Sequence, residues 1–218
     1  MTGEILKIFD KLYPFDGVCF LHYDKQKPWQ LLFATILSAQ CTDARVNEVT
    51  AELFKIFPTL EAFAEADILQ IEAAVRPTGF FRNKARHLQG AAQQLLANFG
   101  GKLPREIDAL TALPGVGRKT ANVVRSHIFK IPCIVVDTHV SRISQRLGLA
   151  RETCPVKIEH ELMLILPEEH WIRFNQQAIL HGRTVCSARN PRCGNCALNS
   201  LCFSIDFDKK SCDNVVTG

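Results

Sequence analysis

The sequence predicts an all-α fold of many short helices. Three observations carry that prediction. Apolar residues recur at helical spacing almost throughout, no segment alternates with the period of two that marks a sheet, and proline, glycine or a capping residue repeatedly interrupts the pattern. With 218 residues and an apolar fraction of 47%, the chain can bury a substantial core as one large domain or two small ones.

Ile5, Ile8, Phe9 and Leu12 share one face of a first amphipathic helix, which Tyr13-Pro14 ends. Trp29 to Leu37 is nearly all apolar and reads as a buried helix that stops at Ser38-Ala39-Gln40. Thr42 or Asp43 caps the next helix, in which Val46, Val49, Leu53 and Phe57 align before Pro58. Short helices follow from Thr59 and from about Asp67. Arg76-Pro77-Thr78-Gly79 is a turn, because proline biases its predecessor away from helix and glycine tolerates positive φ. Phe80 and Phe81 come next. Two adjacent aromatics cannot both face inward on a helix, so one of them needs another explanation.

Leu88, Ala91, Ala92, Leu95 and Phe99 carry a helix ending at Gly100-Gly101. Glu106 to Leu113 and Arg118 to Phe129 are helices on either side of Pro114-Gly115-Val116-Gly117. Ile131 to Val136 is extended and apolar, and Asp137-Thr138-His139 caps a helix with Val140, Ile143 and Leu147 on one face. Pro155 opens a helix that Pro167 closes. Trp171 to His181 is another, with Gly182 as its stop. Beyond Phe203 the composition turns polar, and residues 206–218 read as a flexible tail.

The N-terminus has no basic stretch leading into an apolar run, and no apolar run reaches the eighteen or so residues of a membrane span, which predicts a cytoplasmic protein. A net charge of +4 permits a polyanionic partner without demanding one.

Two stretches point to chemistry. In LPGVGRKTANVV, from Leu113, the glycines at 115 and 117 allow a tight turn and a close approach by another molecule. The helix starting near Arg118 turns its unpaired N–H groups and positive dipole end outward, which suits a phosphate. Read alone, the turn is as simply a connection between helices, with Lys119 a solvated charge. The second stretch is the cysteine cluster. Of nine cysteines, Cys186, Cys193, Cys196 and Cys202 follow the spacing C-x6-C-x2-C-x5-C. Clustered cysteines in such a chain bind metal more often than they form disulfides. Zinc sites pair their ligands closely at both ends, and here only the middle pair is close, so a cubane iron-sulfur cluster suits the spacing better. A zinc ribbon is the other reading. Arg189 and Arg192 make the loop basic enough to meet phosphates. Cys19, Cys41, Cys133 and Cys154 read as small core or boundary residues, and Cys212 as a tail residue.

Five stretches in one order carry a resemblance: Ser38-Ala39-Gln40-Cys41-Thr42-Asp43, Gly79-Phe80-Phe81-Arg82-Asn83-Lys84-Ala85, LPGVGRKTA from Leu113, Val136-Asp137-Thr138-His139, and LHGRTVCSARNPRCGNC from Leu180. Over nearly its full length the chain resembles the endonuclease III family, iron-sulfur DNA glycosylases with a helix-hairpin-helix motif. The resemblance implies two helical lobes with the substrate cleft between them. One spans residues 23–132 with the hairpin at about 108–129; the other joins residues 1–22 to 133–205 and holds the cluster loop at 186–202.

It also implies removal of oxidised or otherwise damaged pyrimidines from duplex DNA and nicking of the abasic strand, by a monomer carrying a [4Fe-4S] cluster on those four cysteines. Lys119 is then the nucleophile and Asp137 its partner. The residues suit these roles, since a helix N-terminus beside Arg118 disfavours an ammonium and attack needs a free amine. A stacked base must be flipped out and its gap filled; the resemblance assigns the filling to Gln40 and Phe80, and His139 to the DNA backbone or cleft. The family's wedge is often aliphatic, which leaves Phe80 and Phe81 as alternatives. Two rival functions are an adenine-mismatch glycosylase, which lacks the lysine and is longer, and a non-catalytic DNA-binding module.

Overall fold

The computed structural model describes residues 1–17 and 19–204. Among them there are helices, 3-10 turns and loops but no strand. The predicted tail and Cys212 lie outside the described residues.

The chain divides into two compact units, Cys19–Ile131 and Met1–Val18 with Pro132–Gly218. The N-terminal helix α1 (Thr2–Leu12) belongs to the second. In the first the order is α2 (Trp29–Leu37), α3 (Asp43–Ile56), α4 (Leu60–Glu65), α5 (Ile68–Val75), α6 (Phe81–Phe99), α7 (Ile107–Thr111) and α8 (Arg118–His127). Every residue of α2 is buried, as its uninterrupted apolar run requires. Around it Trp29, Phe33, Phe54 and Phe63 pack edge to face, with Phe33 and Phe63 rings 4.8 Å apart. Full burial of a side chain such as Phe33 contributes about 1.5–3 kcal/mol. Thr42, Thr59 and Asp67 cap α3, α4 and α5 by accepting from the backbone N–H of Arg45, Ala62 and Leu69. Gly100 ends α6 with φ 58°.

The second unit adds α9 (Thr138–Arg146), α10 (Pro155–Ile165) and α11 (Trp171–Thr184) to α1. Phe9 and Phe174 are fully buried at its centre. The extended stretch before α9 is buried from Cys133 to Val136, so its backbone needs partners. Asn175 supplies them, accepting from the Val135 N–H at 3.0 Å and donating to the Cys133 carbonyl at 3.4 Å. Val136 is thereby fixed in the core, and Asp137 emerges beside it.

Two expectations fail. Helix α11 runs through Gly182 to Thr184 instead of stopping at the glycine. A Cβ on Gly182 would lie 2.5 Å from His139 Nδ1 and 2.7 Å from Arg142 Nη2, so the glycine is there to make room. Cys154 is exposed at the N-cap of α10, whereas Cys133 is buried and Cys19 and Cys41 are half-buried. No helix of the described residues is long and apolar enough to cross a membrane.

Candidate active site and cysteine centre

Helices α7 and α8 with the turn between them form the predicted hairpin. Leu113 and Val116 are buried and anchor the turn, and the Val116 N–H bonds the Leu113 carbonyl at 3.1 Å. Gly115 is exposed with φ 76°, a backbone region that disfavours any side chain. His87 of α6 lies directly against it: a Cβ there would sit 2.7 Å from three His87 atoms. Gly117 differs, with φ −89° and open space where a Cβ would point. It is the N-cap of α8, and no side chain caps that helix start. Lys119, the second residue of α8, is exposed, whereas Ala121 and Val124 on the opposite side of the helix are fully buried. The hairpin thus offers a helix N-terminus and a primary amine to an approaching anion.

Gln40 and Phe80 stand on two other turns of the same unit. Both are exposed, Phe80 by 64%, and both have left-handed backbone, with φ 54° and 48°. For a residue other than glycine that conformation costs on the order of 1 kcal/mol and persists only where the surroundings enforce it. Phe81 behaves differently. It is half-buried against the core, with the guanidinium groups of Arg76 and Arg82 at 5.9 and 5.7 Å from its ring centre. Of the adjacent pair, Phe80 is therefore the side chain presented to solvent.

In the other unit Asp137 is the N-cap of α9. Its Oδ1 accepts from the N–H groups of His139 at 2.9 Å and Val140 at 2.8 Å, bonds in which Oδ2 takes no part. His139 is half-buried, and its Nδ1 lies 3.1 Å from Arg142 Nη2.

Cys186, Cys193, Cys196 and Cys202 all line one cavity of about 110 Å³. Burial pushes the Cys196 thiol up, and Cys186, Cys202 and Cys193 add to the push, so four thiolates could not gather there without positive charge. Among the described residues no three potential ligands close on the position of a single ion. Four sulfurs lining one cavity are a donor set that suits a polynuclear cluster with one sulfur at each corner. Two arginines on successive turns of α9 hold the loop. Arg142 donates to the Cys186 carbonyl at 3.0 and 3.2 Å. Arg146 Nη1 lies 3.1 Å from Cys186 Sγ and donates to the Ser187 carbonyl at 2.8 Å, while its Nη2 donates to that of Ala188 at 3.0 Å. His181 Nε2 lies 3.7 Å from Cys196 Sγ. Burial, with Arg142 close by, lowers the His181 pKa to about 4, which keeps the ring neutral. Arg189 and Arg192 are exposed on the same loop, closed by the Arg192 N–H bond to Val185 at 2.9 Å.

The profile of the HhH-GPD superfamily of base excision DNA repair proteins matches residues 33–168. Endonuclease III of Synechocystis sp. is 52% identical over 202 residues, covering 92% of this chain and 91% of its own. The chain belongs to the endonuclease III family. Its structure is similar to that of endonuclease III in a non-covalent DNA complex, with a TM-score of 0.89, 40% identity and coverage of 96% and 97% of the two chains. A trapped covalent endonuclease III–DNA intermediate matches with the same score and identity, covering 96% and 99%.

Within this chain, the structure brings Gly115, Gly117, Lys119, Gln40 and Phe80 into one unit, and Asp137, His139, Arg189, Arg192 and the four cysteines into the other. Sequence reasoning missed His87, Lys84 and the Arg142–Arg146 pair. The arginines had a legible signal, since they stand four residues apart on a helix whose apolar positions the sequence identifies. Lys84 carries the opposite of a signal, being a lysine that is only 4% exposed.

Proposed function

We propose that this DNA glycosylase and abasic-site lyase removes oxidised or otherwise damaged pyrimidines from duplex DNA through Lys119, with Asp137 as its partner. The observation that carries the reading is the exposed amine of Lys119 on the second residue of α8, directly after the glycine turn. The trapped covalent intermediate of a relative at 40% identity supports a covalent step here.

Phosphate at the N-terminus of α8, held by backbone near Gly115 and Gly117, brings a deoxyribose within reach of Lys119. Lys119 Nζ attacks C1′, the C–N bond to the base breaks, and the base leaves with the electron pair. Asp137 takes the proton that the attacking amine loses, or stabilises positive charge on the opening sugar. A proton passes to O4′ as the C1′–O4′ bond breaks and the sugar ring opens, leaving an imine between Nζ and C1′ that acidifies the C2′ proton. Loss of that proton drives out the 3′ phosphate by β-elimination, and water then hydrolyses the imine to free Lys119. Gln40 and Phe80 occupy the gap left by the extruded nucleotide, the first by hydrogen bonding the orphaned base and the second by wedging between bases.

Cys186, Cys193, Cys196 and Cys202 hold a [4Fe-4S] cluster, which when bound cross-links the C-terminal loop so that Arg189 and Arg192 are presented to phosphates. His139, beside Asp137 at the start of α9, serves the DNA backbone or the cleft. The protein works as a monomer at the nucleoid in the cytoplasm.

Borohydride reduction in the presence of abasic duplex DNA tests the mechanism. The wild-type chain should form a covalent adduct that Lys119→Gln abolishes; an undiminished adduct with Lys119→Gln would sink it. Lys119 is also what separates this reading from a monofunctional adenine-mismatch enzyme and from a module that only binds DNA.

A further inference from the structure

Lys84 lies in the first turns of α6, which also carry Arg82 and no acidic residue, so its charge opposes the helix dipole. Its side chain is buried. An ammonium out of water is costly unless hydrogen bonds replace its hydration, and Nζ donates to the carbonyl of Leu37 at 2.8 Å and to that of Thr78 at 2.8 Å. These carbonyls belong to different segments. Leu37 is the last residue of α2, just before the turn of Gln40, and Thr78 ends the 3-10 turn Arg76–Thr78 just before Phe80.

Each turn is also anchored locally. The Ser38 hydroxyl donates to the Thr35 carbonyl at 2.8 Å, and the Thr78 hydroxyl to that of Val75 at 2.8 Å. Those bonds shape the turns one at a time, whereas Lys84 joins them. Gln40 and Phe80 are two of the three described non-glycine residues with positive φ, so each turn that Lys84 joins carries a strained residue. Burial pushes the Lys84 amine down, partly offset by the Cys41 thiol next to Gln40.

We propose that Lys84 is a positioning residue for base extrusion, fixing the spacing of the Gln40 and Phe80 turns so that both side chains enter the duplex as one tool. The proposal rests on the assignment of those two residues as gap-fillers. Without the ammonium, two buried carbonyls lose their partner and each turn relaxes independently of the other. Opening the stack then suffers, while chemistry on a sugar that needs no extrusion does not.

The test uses the full chain and a duplex with 2-aminopurine opposite the lesion, whose fluorescence reports unstacking of the orphaned base. Gln40→Ala and Phe80→Ala should each reduce the fluorescence change. Lys84→Met should reduce it too and slow single-turnover excision of the paired lesion by about tenfold or more. Borohydride trapping on a single-stranded abasic oligonucleotide, which has no stack to open, should change by less than about threefold in the same variant. Lys84→Arg, which keeps a charged group with several donors, should recover part of the excision rate. Added to the Gln40→Ala/Phe80→Ala double variant, Lys84→Met should cost nothing further.

If the two alanine variants dampen the fluorescence and Lys84→Met does not, the positioning role falls and the gap-filler assignment stands. Equal slowing of duplex excision and single-strand trapping overturns it as well. If neither alanine variant has an effect, the assignment falls and the positioning role with it. Should Lys84→Met not fold, Lys84→Gln, with donors on a shorter side chain, takes its place in each comparison, and the same results support or overturn the role.

Discussion

Gly115 and Gly117 stand two residues apart on one turn, and replacing each by alanine should have opposite consequences. At Gly115 an alanine must adopt φ 76° and place its Cβ 2.7 Å from the Cβ, Cγ and Nδ1 of His87. The left-handed backbone costs about 1–2 kcal/mol. The overlap adds about 1–3 kcal/mol, because the base of the His87 side chain cannot swing away as a flexible tip could. The expected loss is therefore about 2–5 kcal/mol, or roughly 4–20 °C in Tm for a chain of this size. At Gly117 the added Cβ meets nothing within 4 Å and φ is −89°. Only the poorer N-cap quality of alanine counts, at under about 1 kcal/mol. If the open space above Gly117 admits a phosphate, Gly117→Ala weakens DNA binding while Tm barely moves. Thermal unfolding alongside fluorescence anisotropy with an uncleavable abasic duplex separates the two effects. Equal Tm losses in the two variants, or unchanged affinity in Gly117→Ala, would refute the reasoning.

Other consequences follow from the same geometry. Asp137→Asn should retain the cap on α9, since asparagine caps as well as aspartate, and lose most turnover; Asp137→Ala should lose turnover and about 1 kcal/mol of stability. Equal turnover in Asp137→Asn and the wild type would remove the carboxylate from the mechanism. Burial, reinforced by Lys130, lowers the His127 pKa from 6.5 to about 4. The unfolded chain then binds more protons between those values, so this contribution to stability is intact above pH 6.5 and is lost as pH falls toward 4. Denaturant titrations at pH 7.5 and 5 should show a smaller drop for His127→Gln than for the wild type; identical drops would contradict the assignment. Replacing Cys196 by serine should strip iron and acid-labile sulfide together and loosen the loop toward proteolysis. A zinc-loaded, iron-free wild-type preparation would overturn the cluster.

Much of the fold was legible because its signals are local. The apolar run of Trp29–Leu37 could only be a buried helix, and Thr42, Thr59, Asp67 and Asp137 cap the helices they precede. The resemblance assigned Gln40 and Phe80, which are both exposed and have positive φ. Illegible features depend on contacts far apart in sequence. Gly182 looked like a helix stop because glycine often is one; its reason lies in the side chains of His139 and Arg142 on another helix. Lys84 reads as a surface charge until the carbonyls of Leu37 and Thr78 are seen around it. No spacing rule connects residues 37, 78 and 84.

Lys119 as the covalent nucleophile is the claim on which the rest depends. The most direct measurement is peptide mapping, by mass spectrometry, of the wild-type protein after borohydride trapping on abasic duplex DNA. The sugar-derived mass should fall on Lys119 alone; its recovery on Lys84, on the N-terminal amine or on any other lysine would contradict the account.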